Sequence, residues 1–147
     1  MTIRAITEQD FLKWQAMRFK LWSHVTESEN REFFAAILAD DSRGQIFVAE
    51  NEAGELAGFL EAALRFDYVE GAETSPVGYI EGWFVEADAR RQKVGTKLAQ
   101  AAETWAREKG CVEMCSDCEL SNDLSLAAHL GAGYEEAGRN IHFIKQL

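Results

Sequence analysis

The chain has 147 residues, of which 25 are acidic and 15 basic, for a net charge of −10. That length suits one domain with a real core, taken here as residues 1–147, and the acidic balance argues against nucleic acid and anionic membranes as partners, both of which reward basic patches. No apolar run reaches membrane-spanning length and the N-terminal MTIRAITEQDF lacks a secretory layout, so a cytoplasmic location is expected.

The elements follow in chain order. Residues 2–6 alternate as a short strand. Thr7 then caps a helix, with Asp10 as the second half of a capping box, and Phe11, Trp14, Met17, Arg18, Leu21 and Trp22 recur near helical spacing through residue 23. A second helix covers 27–39, with Phe33, Phe34, Ile37 and Leu38 as its apolar stripe. Strands 45–50 and 55–65 flank Asn51-Glu52-Ala53-Gly54, a hairpin turn by composition. A polar loop, 66–76, leads to a strand at 77–86. A helix over 94–109 stops at Gly110, where a C-terminal glycine cap belongs. A strand at 111–117, a helix at 122–131 and a last strand at 134–145 complete the order β-α-α-β-β-β-α-β-α-β. Such interleaving implies an α/β fold with helices on the faces of the sheet.

The cysteines are Cys111, Cys115 and Cys118. Their odd number and clustering suit free, packed thiols. A structural metal site needs four ligands, and Cys115, Cys118 and His129 supply three, so no metal is expected. Glu81 interrupts an otherwise apolar strand, and a carboxylate there is costly unless paired.

The segment Arg90-Arg91-Gln92-Lys93-Val94-Gly95-Thr96 carries the most information. It joins the end of a β-rich run to the start of a helix. A helix start offers unpaired N–H donors and the positive end of the dipole. Arginine grips phosphate oxygens in a fork, and Gly95 permits close backbone approach. The combination suits a pyrophosphate. It is neither a P-loop nor the three-glycine dinucleotide fingerprint.

The segment resembles the acetyl-coenzyme A loop of the GNAT N-acetyltransferase superfamily, usually Arg/Gln-x-x-Gly-x-Gly/Ala. Lys93 stands where the first glycine is usual. The element order matches as well, so the resemblance covers the whole chain. It implies the GNAT fold, a mixed central sheet splayed between its fourth and fifth strands. It also implies acetyl-CoA as co-substrate, with backbone at Trp83, Phe84 and Val85 beside the pantetheine and an N–H near that strand's end as oxyanion donor. The superfamily's second signature, Asn-x-x-Ala-x-x-x-Tyr-x-x-x-Gly-Phe, is met by Asn122, Ser125, His129 and Gly133-Tyr134. The asparagine position touches the pantetheine. His129 replaces the tyrosine that usually protonates the departing thiolate.

Arg65–Val85 (RFDYVEGAETSPVGYIEGWFV), Leu21-Trp22-Ser23 and Ser116-Asp117 further resemble the small bacterial aminoglycoside 6′-N-acetyltransferases. That resemblance implies direct acetylation of the antibiotic's 6′-amine by a homodimer. Trp22, Tyr68, Glu81 and Asp117 would contact the substrate around one acidic pocket, with Glu73 or Glu136 at the rim. Such a pocket suits a polycationic sugar. Burial is expected to raise the Glu81 carboxyl so that it can accept a proton.

Plainer roles stay open for these residues. They are an ion pair with Arg65 for Glu81, core packing for Trp22, local packing for Tyr68, helix caps for Asp117 and Asn122, and an ordinary helix position for His129. Other functions stay open too, namely a GNAT enzyme for another polyamine or a peptide N-terminus, a non-catalytic acyl-CoA sensor, and a metal-thiolate protein.

Overall fold

The computed structural model covers residues 1–147. β1 (Thr2–Ala5) lies at one edge of the sheet, antiparallel to β2 (Gly44–Glu50). β2 turns through Asn51–Gly54 into β3 (Leu56–Arg65), where the Asn51 side chain accepts from the backbone N–H groups of Ala53 and Glu55, each at 2.9 Å. β3 pairs antiparallel with β4 (Val77–Val85), and β4 pairs parallel with β5 (Met114–Ser116). The sheet is therefore mixed, in the order β1-β2-β3-β4-β5.

Helices cover both faces. α1 (Phe11–Leu21) and α2 (Glu27–Ala39) bury Trp14, Met17 and Phe34 against Ile46, Val48 and Phe59. α3 (Val94–Glu108) covers the other face. Its buried residues Val94, Leu98, Ala99, Ala102, Trp105 and Ala106 form one stripe over Leu60, Ala62 and Ile80. The alanines let α3 lie close to the sheet, so close that a Cβ at Gly78 would come within 2.7 Å of Ala106. α4 (Asp123–Gly131) follows β5, and Asn122 caps it by accepting from Ser125 N–H at 3.0 Å. No helix is long and apolar enough to cross a membrane.

Three expectations need correction. The first helix starts at Phe11, after a short 3-10 turn over Glu8–Asp10, and Asp10 turns its carboxylate back onto Thr7. The strand expected at 111–117 shrinks to Met114–Ser116. Gly110 takes a φ of 90°, and Cys111 N–H closes the helix end on Ala106 O at 2.9 Å, so the residues just after the helix serve its termination. The last strand, expected over 134–145, does not form. The alternation of Ile141 and Phe143 needs a neighbouring strand, and β5 offers only three residues of edge. Ile141, Phe143, Ile144 and Leu147 are left exposed, Phe143 by 90%.

At the N-terminal edge Arg4 donates to both carboxylate oxygens of Asp10, at 2.7 and 2.9 Å. That pairing, helped by the Thr7 backbone, holds the Asp10 carboxyl down at about 2. A carboxyl depressed by folding contributes stability that is whole above its unfolded value and is lost as the pH falls toward the folded one. We expect Asp10→Asn to cost stability at neutral pH and progressively less between about pH 4 and pH 2. Urea unfolding of both proteins across that range checks it, and a constant difference would rule the linkage out.

Candidate active site

The site begins where β4 loses a neighbour. Pairing with β5 covers Gly78, Tyr79 and Ile80 and ends at Ser116. β4 continues to Val85, so the edge of Glu81–Val85 that would face β5 has no strand beside it. On its other side β4 carries an inserted residue. Glu61 of β3 lies opposite Gly82 while Ala62 lies opposite Ile80, which leaves Glu81 without a partner. A bulge of this kind re-aims a side chain. Glu81 is exposed, although it sits mid-strand in a central position.

The expected coenzyme segment lies at the far end of the free edge. Arg91 and Lys93 both take left-handed backbone, with φ of 63° and 62°. Lys93 thus adopts a conformation that favours glycine, although it is a lysine. Its carbonyl accepts the first backbone bond of α3, from Lys97 N–H at 3.0 Å, so the N–H groups of Val94, Gly95 and Thr96 precede any intrahelical partner. Arg90 and Gln92 serve the loop itself, donating to Val85 O at 3.0 Å and Asp88 O at 2.9 Å. Arg91 and Lys93 remain exposed. Gly95 answers a different need from the one expected. A Cβ there would come within 3.3 Å of the Trp83 indole, so the glycine seats Trp83 under the helix. Trp83 Nε1 is buried without a hydrogen-bond partner. A free strand edge, a left-handed turn flanked by two free cations and an orphaned donor between them fit an extended thioester ending in a pyrophosphate.

His129 stands beside this edge, its ring 5.1 Å from Trp83 and 5.7 Å from Tyr134 in edge-on contacts. Nδ1 lies 2.7 Å from Ser125 O and Nε2 lies 2.7 Å from Ser116 Oγ. A carbonyl only accepts, so Nδ1 carries a proton. Nε2 then meets a serine hydroxyl that also reaches Ile80 O at 3.3 Å, at the last paired position of β4. Ser116 links the imidazole to the place where the strands part. Sequence reasoning noted Ser116 only as part of a match.

The residues expected around one acidic pocket are divided. Trp22 and Glu81 line a cavity of about 620 Å³ with Arg18, Glu61 and Arg43. Tyr68, Asp117, His129 and Glu136 line a separate groove of about 1730 Å³. Arg65 borders the groove and pairs with Glu81, which borders the cavity. Its guanidinium donates to Glu81 at 2.9 and 2.8 Å and lies 3.4 Å from the centre of the Tyr79 ring. Tyr79 in turn donates its hydroxyl to Asp117. Burial first, and that carboxylate second, keep the Tyr79 phenol protonated. Tyr68 is 82% exposed and donates to Glu70. Glu136 is engaged with Arg139, which holds its carboxyl below the usual range. Glu73 is exposed, its backbone N–H given to Glu113.

The expectation that Glu81 is buried was wrong, because the bulge lifts it out and Arg65 pairs with it. The buried carboxylate is Glu61, whose side chain is 3% exposed and receives Arg18 at 2.7 Å. Burial pushes the Glu61 carboxyl up, while Arg18 pulls it back. Arg18 also donates to Asn30 at 2.6 Å and lies against the rings of Trp14, Trp22 and Phe33. Arg18 lies over the Trp22 ring, and the benzo edge of that indole abuts the backbone at Gly82, where any Cβ would collide with it. An arginine at an apolar helix position and a glutamate in an apolar strand were the signals for this pair. No group of three or more His, Cys, Asp or Glu residues is placed to hold a metal ion.

This arrangement, a sheet parted at β4 with a left-handed loop leading into α3, is that of an acyltransferase acting on a coenzyme thioester. Residues 9–134 match the Acetyltransferase (GNAT) family, and the chain belongs to that family. It is 39% identical to the aminoglycoside N(6′)-acetyltransferase type 1 of Stenotrophomonas maltophilia, over 97% of this chain and 91% of that one. It is 40% identical to the Klebsiella aerogenes protein of the same name, over 99% and 96%. Among solved structures it resembles the 6′-N-acetyltransferase AAC(6')-IG from Acinetobacter haemolyticus, with a TM-score of 0.91 at 35% identity over 100% of this chain and 99% of that one. It also resembles AAC(6')-Iy, solved with the bisubstrate analogue CoA-S-monomethyl-acetylneamine, with a TM-score of 0.92 at 33% identity over 99% and 98%.

A non-glycine residue in left-handed backbone is strained by roughly 1–2 kcal/mol, part of which glycine returns as entropy in the unfolded chain. We expect Lys93→Gly to stabilise the protein by roughly 0.5–1 kcal/mol in urea unfolding and to weaken coenzyme affinity through the lost charge. Destabilisation would show that the backbone at 93 is not strained.

Proposed function

We propose that the chain transfers the acetyl group of acetyl-CoA directly to the 6′-amine of an aminoglycoside antibiotic. Full-length similarity to enzymes of that name supports this reading. The observation that carries it is Glu81, lifted into solvent by the bulge beside the unpaired edge of β4.

Acetyl-CoA supplies an activated thioester. The α3 start and the cations of Arg91 and Lys93 hold its pyrophosphate. Trp83, Phe84 and Val85 pair their backbone with the pantetheine as with another strand, and Asn122 closes the opposite side. An N–H of that edge meets the oxygen on which negative charge develops. Glu81 draws in the substrate ammonium and takes up its proton, directly or through water. Trp22 and Tyr68 offer flat faces to the sugar rings, and Asp117 and Glu136 a second region of negative charge. When both ring nitrogens are protonated, the His129 Nε2–H donates to Ser116 Oγ, whose own proton passes to the departing thiolate as Nε2 replaces it, leaving the neutral Nδ1–H imidazole. Burial raises the thiols of Cys111 and Cys115, which makes them poor nucleophiles and favours direct transfer over an acetyl-enzyme.

The reading includes a homodimer acting in the cytoplasm. The exposed apolar side chains of Ile141, Phe143, Ile144 and Leu147 support a second copy as their cover.

We expect thiol release with aminoglycosides that carry a 6′-amine and none with analogues that lack it. Equal rates with both would defeat the reading. Glu81→Gln should lower kcat by about 10- to 100-fold with the KM for acetyl-CoA unchanged. Asp117→Asn should raise the antibiotic's KM and spare coenzyme affinity, and a selective loss of coenzyme affinity would contradict its assignment.

A further inference from the structure

We propose that Arg65 is a built-in stand-in for the substrate's ammonium, which the incoming aminoglycoside displaces from Glu81. The inference rests on the acceptor reading above and adds a specificity-determining residue to it. Arg65 meets both oxygens of Glu81, at 2.9 and 2.8 Å. Its Cζ lies 3.4 Å from the centre of the Tyr79 ring. A second carboxylate, Asp117, sits at the hydroxyl end of that ring. The guanidinium therefore has a carboxylate in its plane, an aromatic face against it and further negative charge within reach. These are the features that hold an alkylammonium.

The pair is built for exchange. The Arg65 and Glu81 side chains are 41% and 35% exposed, and an exposed ion pair resists a competing cation by no more than about fivefold. Contrast Arg18, whose side chain is 11% exposed and whose carboxylate partner is 3% exposed, so that parting those charges would strand both. Position adds to the argument. Arg65 borders the groove that holds Tyr68 and Asp117, while Glu81 borders the cavity that holds Trp22. Withdrawing the guanidinium frees the Glu81 carboxylate and opens one space onto the other. The two halves of the expected site then form a single concavity that carries both the Glu81 and the Asp117 carboxylates. A small cation must compete with a tethered one, whereas a polycation gains Glu81 and Asp117 together.

Steady-state kinetics on Arg65→Met and Arg65→Lys test this, with the wild type measured first. Failure of the wild type to acetylate any aminoglycoside bearing a 6′-amine defeats the acceptor reading, and this inference with it. With transfer established, Arg65→Met keeps an apolar stem over Tyr79 but removes the charge. The antibiotic's KM should fall by about two- to fivefold while kcat and the KM for acetyl-CoA hold. Arg65→Lys should keep the wild-type KM. A higher antibiotic KM in Arg65→Met would mean that Arg65 orients Glu81 or touches substrate, and would overturn the proposal. Should Arg65→Met fail to fold, the wild type with ¹⁵N-labelled arginine is titrated with the same aminoglycoside in the absence of acetyl-CoA. A saturable movement of the Arg65 Nε–H resonance supports displacement. Binding without such movement refutes it.

Discussion

A register shift of one residue in β4 governs the rest of this molecule. One side of the strand loses β5 after Ile80, and the other inserts Glu81 against β3. The first event exposes backbone donors and acceptors that an extended ligand can pair with. The second turns a carboxylate out of a central strand at the same level. Neither alone makes an active centre. Together they set an acidic side chain beside a stretch of unpaired backbone, which is the geometry acyl transfer to an amine requires.

Buried charge on the opposite strand accompanies this shift. Glu61 lies across from Gly82 and is buried with Arg18, Asn30 and three aromatic rings at the wall of the smaller cavity. A buried ion pair adds little net stability, but breaking one is costly. Here it ties α1 to the strand that faces the bulge, and it presses Trp22 onto Gly82. An aromatic wall at the mouth of the site is thereby referenced to the same backbone step that presents Glu81. The glycine at 82 is required by contact, since a methyl group has no room beneath the indole.

Much of this was legible in the sequence. The helix boundaries of α2 and α4, the hairpin at Asn51–Gly54 and the strand-loop-helix at residues 77–109 follow from periodicity, capping and turn chemistry. Arg91, Gly95, Asn122 and His129 stand out by motif; Arg91 and Gly95 flank the start of α3, Asn122 caps α4, and His129 stands against Trp83. The failures have physical causes. The desolvation argument raised against Glu81 was sound in kind, but its weight falls on Glu61, because a bulge is a matter of register that one strand's pattern does not reveal. The last strand fails because alternation at Ile141 and Phe143 states a preference for an edge and says nothing of whether an edge exists. The residues expected around a single pocket line two, and Arg65, which the sequence offered only as a competing partner for Glu81, joins a residue of one to the lining of the other. Lys93 is the opposite case. It looked like a lapse in the motif, yet the backbone there bends as glycine would.

The lysine at that bend alters how the loop meets its ligand. Glycine supplies shape and nothing else. Lysine supplies the same shape at some conformational expense and adds a mobile positive charge next to Arg91, on a protein whose overall charge is −10. A polyphosphate approaching such a surface is repelled by the whole and attracted by this one patch, so its capture depends on the range over which each is felt. Dilute salt lengthens the reach of the global repulsion, and moderate salt shortens it while leaving the contact charges effective. The encounter rate with the nucleotide should therefore pass through a maximum as ionic strength rises.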